Sequence, residues 1–114
     1  MLQRLAAGTI ATPELCERAR GYLLAQEDAR GIVEGVPGGV LVAHKTGSLP
    51  NAQHDAAIVY AERPYVLAIL TQDLEREQAL ALERDVSSAI YARAPMTRSD
   101  LGCAGRWGIM AWLL

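Results

Sequence analysis

The stretch Val40–Thr71, VLVAHKTGSLPNAQHDAAIVYAERPYVLAILT, decides the fold. It holds three short apolar runs rich in Val, Ile and Tyr: Val40–Thr46, Ala56–Ala61 and Tyr65–Thr71. Each has the length and residue types of a strand. Glu62-Arg63-Pro64 is a tight turn between the second and third runs, which predicts an antiparallel hairpin. Gly47–Asp55 joins the first run to the second and contains Gly47, Pro50 and Asn51, so the three runs predict an antiparallel meander. Their apolarity is nearly continuous, not alternating, as in a sheet covered on both faces.

Helices flank this sheet. Leu2–Ala7 reads as the end of a helix stopped by Gly8. Thr12-Pro13-Glu14 is a helix start: a capping hydroxyl, a proline suited to the first turn and an acid at the positive end. This helix runs to about Gln26 with Leu15, Ala19, Tyr22 and Leu23 on one face. Glu27–Gly39 is irregular and punctuated by glycines. Asp73 is placed to cap a long helix from about Leu74 to Arg93. Its apolar face is Ala79, Leu82, Val86, Ala89 and Ile90, with the charged residues on the solvated side. The fold class is α/β (α+β), an antiparallel three-stranded meander flanked by helices.

The tail, Ala94–Leu114, changes character. It holds Pro95, Gly102, Gly105, Gly108 and both tryptophans, Trp107 and Trp112, and ends in an almost wholly apolar segment. It reads as a strap packed on the core; the alternative is an exposed patch that finds a partner.

The chain has 114 residues, a formal net charge of −2, 51% hydrophobic and 21% charged residues. That is the length of one domain and the composition of a soluble globular one, which excludes disorder. No basic excess is available for phosphates, so nucleic acid is not an expected partner. No apolar run reaches the roughly 18 residues of a membrane span. Cys16 and Cys103 are far apart and form no Cys/His cluster, so they read as two free or buried thiols; a single disulfide would need an oxidising compartment. No metal or cofactor is expected. Met1–Ile10 lacks the basic start and apolar run of a secretory signal.

The chemistry concentrates in His44-Lys45-Thr46-Gly47-Ser48. Lys45 and Thr46 end the first predicted strand and so project at the sheet's rim. An ammonium beside a hydroxyl receives a carboxylate through charge-assisted hydrogen bonds. Gly47 lets a ligand approach the backbone, and the N–H that follows can face a developing oxyanion. A lone histidine on a strand is more often a core or edge residue than a base, and both His44 and His54 are read that way.

The segment Val42–Ser48, then Asn51–Tyr60 (NAQHDAAIVY), then Val66–Asp73 (VLAILTQD), resembles the C-terminal half of class A serine β-lactamases. Lys-Thr-Gly is shared with penicillin-binding proteins; His54–Tyr60 points more narrowly to class A. The resemblance spans about Leu5–Ala92, giving a C-terminal portion of a catalytic domain over residues 1–93 and a divergent tail over 94–114. It implies that Lys45 and Thr46 hold a substrate carboxylate, that the Ser48 N–H is one oxyanion donor, and that Gly47 keeps the strand edge open. Asp55 would be structural, tying the turn to the next strand. The implied ligand is a β-lactam or a peptidoglycan-like small molecule, and the full-length family is periplasmic or secreted.

The family's nucleophile is a serine three residues before a lysine. Lys45 is the only lysine and Val42 stands three residues before it, so this chain holds no Ser-x-x-Lys. Ser99-Asp100-Leu101 follows Lys-Thr-Gly and ends in Leu, so it is not the family's Ser-Asp-Asn. The expectation is a binding half with no catalytic residue of its own, inactive alone in β-lactam hydrolysis.

The family's sheet has five strands, and the absent N-terminal segment would supply the two beyond Tyr65–Thr71. That run would then be an open apolar edge, prone to self-association or to pairing with a complementing half. Otherwise the tail covers it. Other readings are one half of a split enzyme, a non-catalytic binder of β-lactam or peptidoglycan-like ligands, and an unrelated α/β domain with a chance Lys-Thr-Gly. A sheet that does not end at Lys45 would favour the last.

Overall fold

The structure, a computed structural model, describes residues 1–93 and the backbone of Gly108–Leu113. Cys103, Trp107 and the rest of the predicted 94–114 tail lie outside the described residues, as does the side chain of Trp112. The elements in order are α1 (Leu2–Ala6), α2 (Pro13–Leu24), a 3-10 turn at Val33–Gly35, β1 (Val42–Leu49), β2 (Ala52–Val59), β3 (Tyr65–Leu70), α3 (Arg76–Arg93) and β4 (Gly108–Leu113). They form one sheet in the order β1-β2-β3-β4.

The three-stranded antiparallel meander is present, with longer first and second strands than the apolar runs suggest. β1 pairs with β2 from Val42↔Val59 to Leu49↔Ala52, leaving only Pro50 and Asn51 as the turn. The apolar criterion misses Gly47–Leu49 because they are exposed, and Ala52–Asp55 because their inward positions are polar. Gln53 and Asp55 are buried; hydrogen bonds engage the Asp55 carboxyl and Gln53 Oε1, while Gln53 Nε2 has no partner among the described residues. The motif therefore lies inside a strand instead of ending one, and that strand is itself a margin of the sheet.

β4 runs parallel to β3, from Tyr65↔Gly108 to Leu70↔Leu113. This corrects the expectation of an open edge at Tyr65–Thr71. Pairing with β4 occupies that edge, which removes the premise of self-association through it. For Gly108–Leu113, the described part of the tail, the structure has the covering arrangement. The margins of the sheet are β1 and β4.

Both faces of the sheet are covered. Against α3 and the 3-10 turn, Ile32, Val42, Val59, Leu67, Ile69 and Ile90 form one core cluster. Against α1 and α2, Leu5, Cys16, Ala43, Ile58 and Val66 form another. Strand alternation divides β1 between them, with Val42 on one side and Ala43 on the other.

The helix ends follow local rules. Gly8 takes φ +69°, and the Thr9 N–H donates to the Arg4 carbonyl at 2.7 Å, closing α1. The Thr12 hydroxyl accepts from the Leu15 N–H at 3.4 Å, with Pro13 in the first turn of α2. Thr12→Ala is expected to lower stability by about 1 kcal/mol. A reduced urea midpoint with an unchanged slope would measure that loss.

Two helix faces differ from the sequence reading. Cys16, Ala19 and Leu23 of α2 face the core, while Leu15 and Tyr22 are 53% and 72% exposed. Ala19 and Leu23 keep the predicted face, and Cys16 takes the inward place expected of Leu15 and Tyr22. On α3 the buried side is Ala79, Leu80, Glu83, Ser87 and Ile90; Leu82 and Val86 are half-buried and Ala89 is exposed. Nor does Asp73 cap α3. It sits at φ +59°, donates its N–H to the Asn51 carbonyl at 2.8 Å and accepts from Asn51 Nδ2 at 3.4 Å. It ties the β1–β2 turn to the end of β3, and the first helical bond runs from the Ala79 N–H to the Glu75 carbonyl. Among the described residues no helix is long and apolar enough to cross a membrane.

Candidate functional site on the edge strand

Lys45, Thr46, Gly47 and Ser48 all lie on β1, the outermost strand. An edge strand leaves alternate backbone N–H and C=O groups without a ladder partner, ready for an extended ligand. Lys45, Gly47 and Ser48 are exposed and Thr46 is half-buried. By alternation Lys45 shares the face of Ala43, toward α1 and α2, and Thr46 shares the face of Val42, toward α3. The ammonium and hydroxyl are thus not side by side; they flank the strand's outer edge from opposite faces.

Lys45 Nζ donates to the Thr46 carbonyl at 2.6 Å, which uses one of its three N–H groups and leaves two for an anion. The Ser48 hydroxyl donates to Gln53 Oε1 at 2.6 Å across the ladder. That bond turns the hydroxyl toward β2, so the role left to Ser48 at the edge is that of its backbone. Among the described residues, nothing fills the space beside Gly47 within 4 Å of an added Cβ.

Behind the motif lies a buried polar layer that the apolar pattern hid. His44 Nδ1 lies 3.1 Å from Asp55 Oδ1 and 3.3 Å from Oδ2. The Ile32 N–H donates to Asp55 Oδ2 at 3.3 Å. Asp55 therefore ties β1, β2 and the segment before the 3-10 turn together, a wider role than joining a turn to a strand. His44 is a buried partner of Asp55, in line with the sequence reading. His54 Nδ1 accepts from the Thr71 N–H at 3.2 Å, which also makes it a structural residue.

Sequence reasoning missed Gln53 and Glu83. The Thr71 hydroxyl donates to the Gln53 carbonyl at 2.6 Å, so Gln53 is held on its backbone as well as by Ser48. Its signal was the period-two series Gln53, Asp55, Ala57, Val59, one continuous inner face. Glu83 is buried on α3, and burial, then Asp55 and Asp28, push its carboxyl up to about 7. Its signal was the spacing Ala79, Glu83, Ser87, Ile90, one helical stripe. Ser87 completes that stripe by donating to the Ile32 carbonyl at 2.8 Å.

A groove of about 330 Å³ opens between α2 and the sheet, lined by Glu17, Arg20, Gly21, Leu24, Leu41 and Tyr60. None of the motif residues lines it. Burial raises the Tyr60 hydroxyl's pKa, with Arg20 opposing and Glu17 adding to the shift. Among the described residues no three His, Cys, Asp or Glu side chains gather as metal ligands.

Comparisons with known proteins bear on this arrangement. The fold is similar to that of a β-lactamase from Sphaerobacter thermophilus, with a TM-score of 0.72 at 25% identity over 83% of this chain and 38% of that one. It is also similar to PBP-A, with a TM-score of 0.70 at 19% identity over 81% of this chain and 36% of that one. A β-lactamase from Burkholderia vietnamiensis gives a TM-score of 0.68 at 19% identity over 89% and 38%. The chain thus spans well under half the length of these structures. No curated protein matches it. A model of the beta-lactamase enzyme family matches residues 1–94, which contain β1, its motif and the buried layer behind it. That match covers most of the chain, and the chain belongs to the beta-lactamase enzyme family.

Proposed function

We propose that residues 1–93 are the C-terminal portion of a class A-like serine β-lactamase domain, with β1 as the wall that receives the substrate's carboxylate. One observation carries this reading: Lys45-Thr46-Gly47-Ser48 lies on the edge strand, with its backbone margin and the Lys45 ammonium open to a ligand. The tail, 94–114, is divergent. The ligand is a β-lactam, or a peptidoglycan-like molecule with the same carboxylate beside an amide. In support, a point mutant of PBP-A is known as an acyl-enzyme complex with penicillin G.

The chemistry divides between this chain and groups outside it. In acyl transfer a serine oxygen attacks the lactam carbonyl, negative charge gathers on the carbonyl oxygen, and the C–N bond breaks as the acyl-enzyme forms. Here Lys45 and Thr46 hold the carboxylate from either side of the strand and fix the ring's position. The Ser48 N–H faces the oxygen on which charge gathers. The serine and its base come from outside, because Lys45 is the only lysine and no Ser-x-x-Lys is present. The chain alone therefore binds without turning over. A complementing half would reach β3 by taking the place of β4.

Benzylpenicillin titrated into the labelled chain is expected to shift the amides of Lys45–Ser48. Lys45→Ala should weaken that binding at least about tenfold, the worth of one charge-assisted hydrogen bond. The chain alone should leave a chromogenic cephalosporin intact, and a Ser-x-x-Lys half added to it should restore turnover. Binding that survives Lys45→Ala unchanged would contradict the assignment.

A further inference from the structure

Glu83 is a buried group that the edge-strand chemistry does not use. It is 0% exposed, and neither carboxyl oxygen receives a hydrogen bond among the described residues. As a carboxylate it would be a buried charge without a donor, a costly state. As a neutral acid it has one O–H to give. An acceptor is close by. Glu83 Oε2 and Asp55 Oδ2 crowd the same side of Gly31, where an added Cβ would lie 2.4 Å from the first and 3.4 Å from the second. The two oxygens are therefore within about 6 Å, the range in which like charges oppose each other's ionisation. Asp55 in turn holds His44, the residue before Lys45.

The charges around Glu83 come from several elements. Asp55 on β2 and Asp28, in the segment after α2, both oppose its ionisation. Asp28 pairs with Arg30 at 3.4 Å and Arg76 at 3.6 Å, and Arg30 also reaches Glu77 at 3.3 Å. His44 on β1 meets the cluster through Asp55. Glu34 of the 3-10 turn is exposed, as is the Arg84–Asp85 pair on α3.

We propose that Glu83 holds a proton inside the fold and acts, through Asp55 and His44, as a pH-responsive positioning residue for the strand that carries Lys45, Thr46 and Ser48. Losing the proton sets a new negative charge against Asp55 and Asp28 with no donor to receive it. The relief open to the fold is separation of α3 from Gly31, Ile32 and β2. That separation loosens the hold of Asp55 on His44. The carboxyl's position near 7 puts the change in the neutral range. A carboxyl raised in the folded state stabilises the fold fully below its unfolded value, near 4.5. That contribution is lost as pH rises through about 7. The consequence for ligand binding rests on the reading of β1 given above; the titration and its effect on stability do not.

The test is a pH titration of the full chain by carbon-13 and nitrogen-15 NMR, from about pH 5 to about pH 9, across the raised carboxyl. In the wild type, the Glu83 carboxyl carbon should titrate near neutrality. The amides of Ile32 and Lys45–Ser48 should move with the same midpoint, and Glu83→Gln should abolish that movement. The folding equilibrium of the wild type should fall by more than about tenfold over this range while the Gln variant stays level. A Glu83 carboxyl that titrates below pH 5 overturns the proposal. So do amide movements that persist in Glu83→Gln, since those would not originate at Glu83. Should the variant not fold, the wild-type carboxyl carbon and the Ile32 and Lys45 amides decide alone. Penicillin binding indifferent to Lys45→Ala would instead remove the reading of β1 and leave the titration standing.

Discussion

Gly35→Ala is expected to destabilise the chain by about 3 kcal/mol or more, the upper end of the cost of overpacking. An added Cβ at Gly35 would lie 2.4 Å from the Arg84 carbonyl oxygen, 2.5 Å from Ser87 Cβ and 2.7 Å from Ser87 Oγ. The first of these is helix backbone, which cannot rotate aside as a side chain can. Relief would require α3 to move off the 3-10 turn. That movement would break the Ser87 bond to the Ile32 carbonyl and open the core around Ile32 and Ile90. A domain of this size has about 5–15 kcal/mol of stability in total, so the loss is a large share. Urea unfolding measures it, with Gly38→Ala as the control. Among the described residues nothing lies within 4 Å of an added Cβ at Gly38, and that variant should stay within about 0.5 kcal/mol of the wild type. A Gly35→Ala midpoint equal to the control's would show that α3 and the turn are not in close contact.

Asp55→Ala should cost about 3–5 kcal/mol, as removing one partner from a buried pair does. The carboxylate is buried and holds both His44 Nδ1 and the Ile32 N–H. Alanine leaves both without that acceptor, each in an interior where an unmet polar group costs about 1–3 kcal/mol. One effect runs the other way. Asp55 is one of the acids that raise Glu83, so its removal relieves a repulsion. That relief is the smaller effect while Glu83 stays protonated, because a neutral acid repels little. Below neutrality the variant should therefore show the full loss. As pH rises it should fall less steeply than the wild type. Urea midpoints of both proteins at about pH 5 and about pH 8 test this, one on each side of the raised carboxyl. Parallel losses at the two pH values would show that Asp55 and Glu83 do not interact.

Where apolar residues carried the structure, the sequence was readable. Val59, Tyr65, Leu67 and Ile69 marked the hairpin, and Thr12-Pro13 marked the start of α2. The difficulty lay where polar residues are inside. His44, Gln53, Asp55 and Glu83 sit at core positions, and burial of a polar group depends on partners that are distant along the chain. Asp55 is made a core residue by Ile32, and Ser87 by the same segment; no local pattern contains those pairings. Asp73 looked like a cap because its type suits one, but the Asn51 carbonyl claimed its N–H. The Lys-Thr-Gly motif was legible as a string. Its division between the two faces follows from strand alternation once β1 is seen to continue to Leu49, and its edge position came only from the strand order.

The pairing of β4 also says something about the order in which the sheet assembles. β1 and β2 are joined by a two-residue turn, and β2 and β3 by a short one, so the meander forms through contacts close along the chain. Tyr65 meets Gly108 only after a loop of roughly forty residues has closed around α3, and such distant contacts are slow to form because chain entropy opposes them. The strand that carries Lys45 thus belongs to the fast, local part of the topology, and β4 is the late addition. During synthesis β1 leaves the ribosome before β4 and can pair with β2 while the β3 margin is still uncovered.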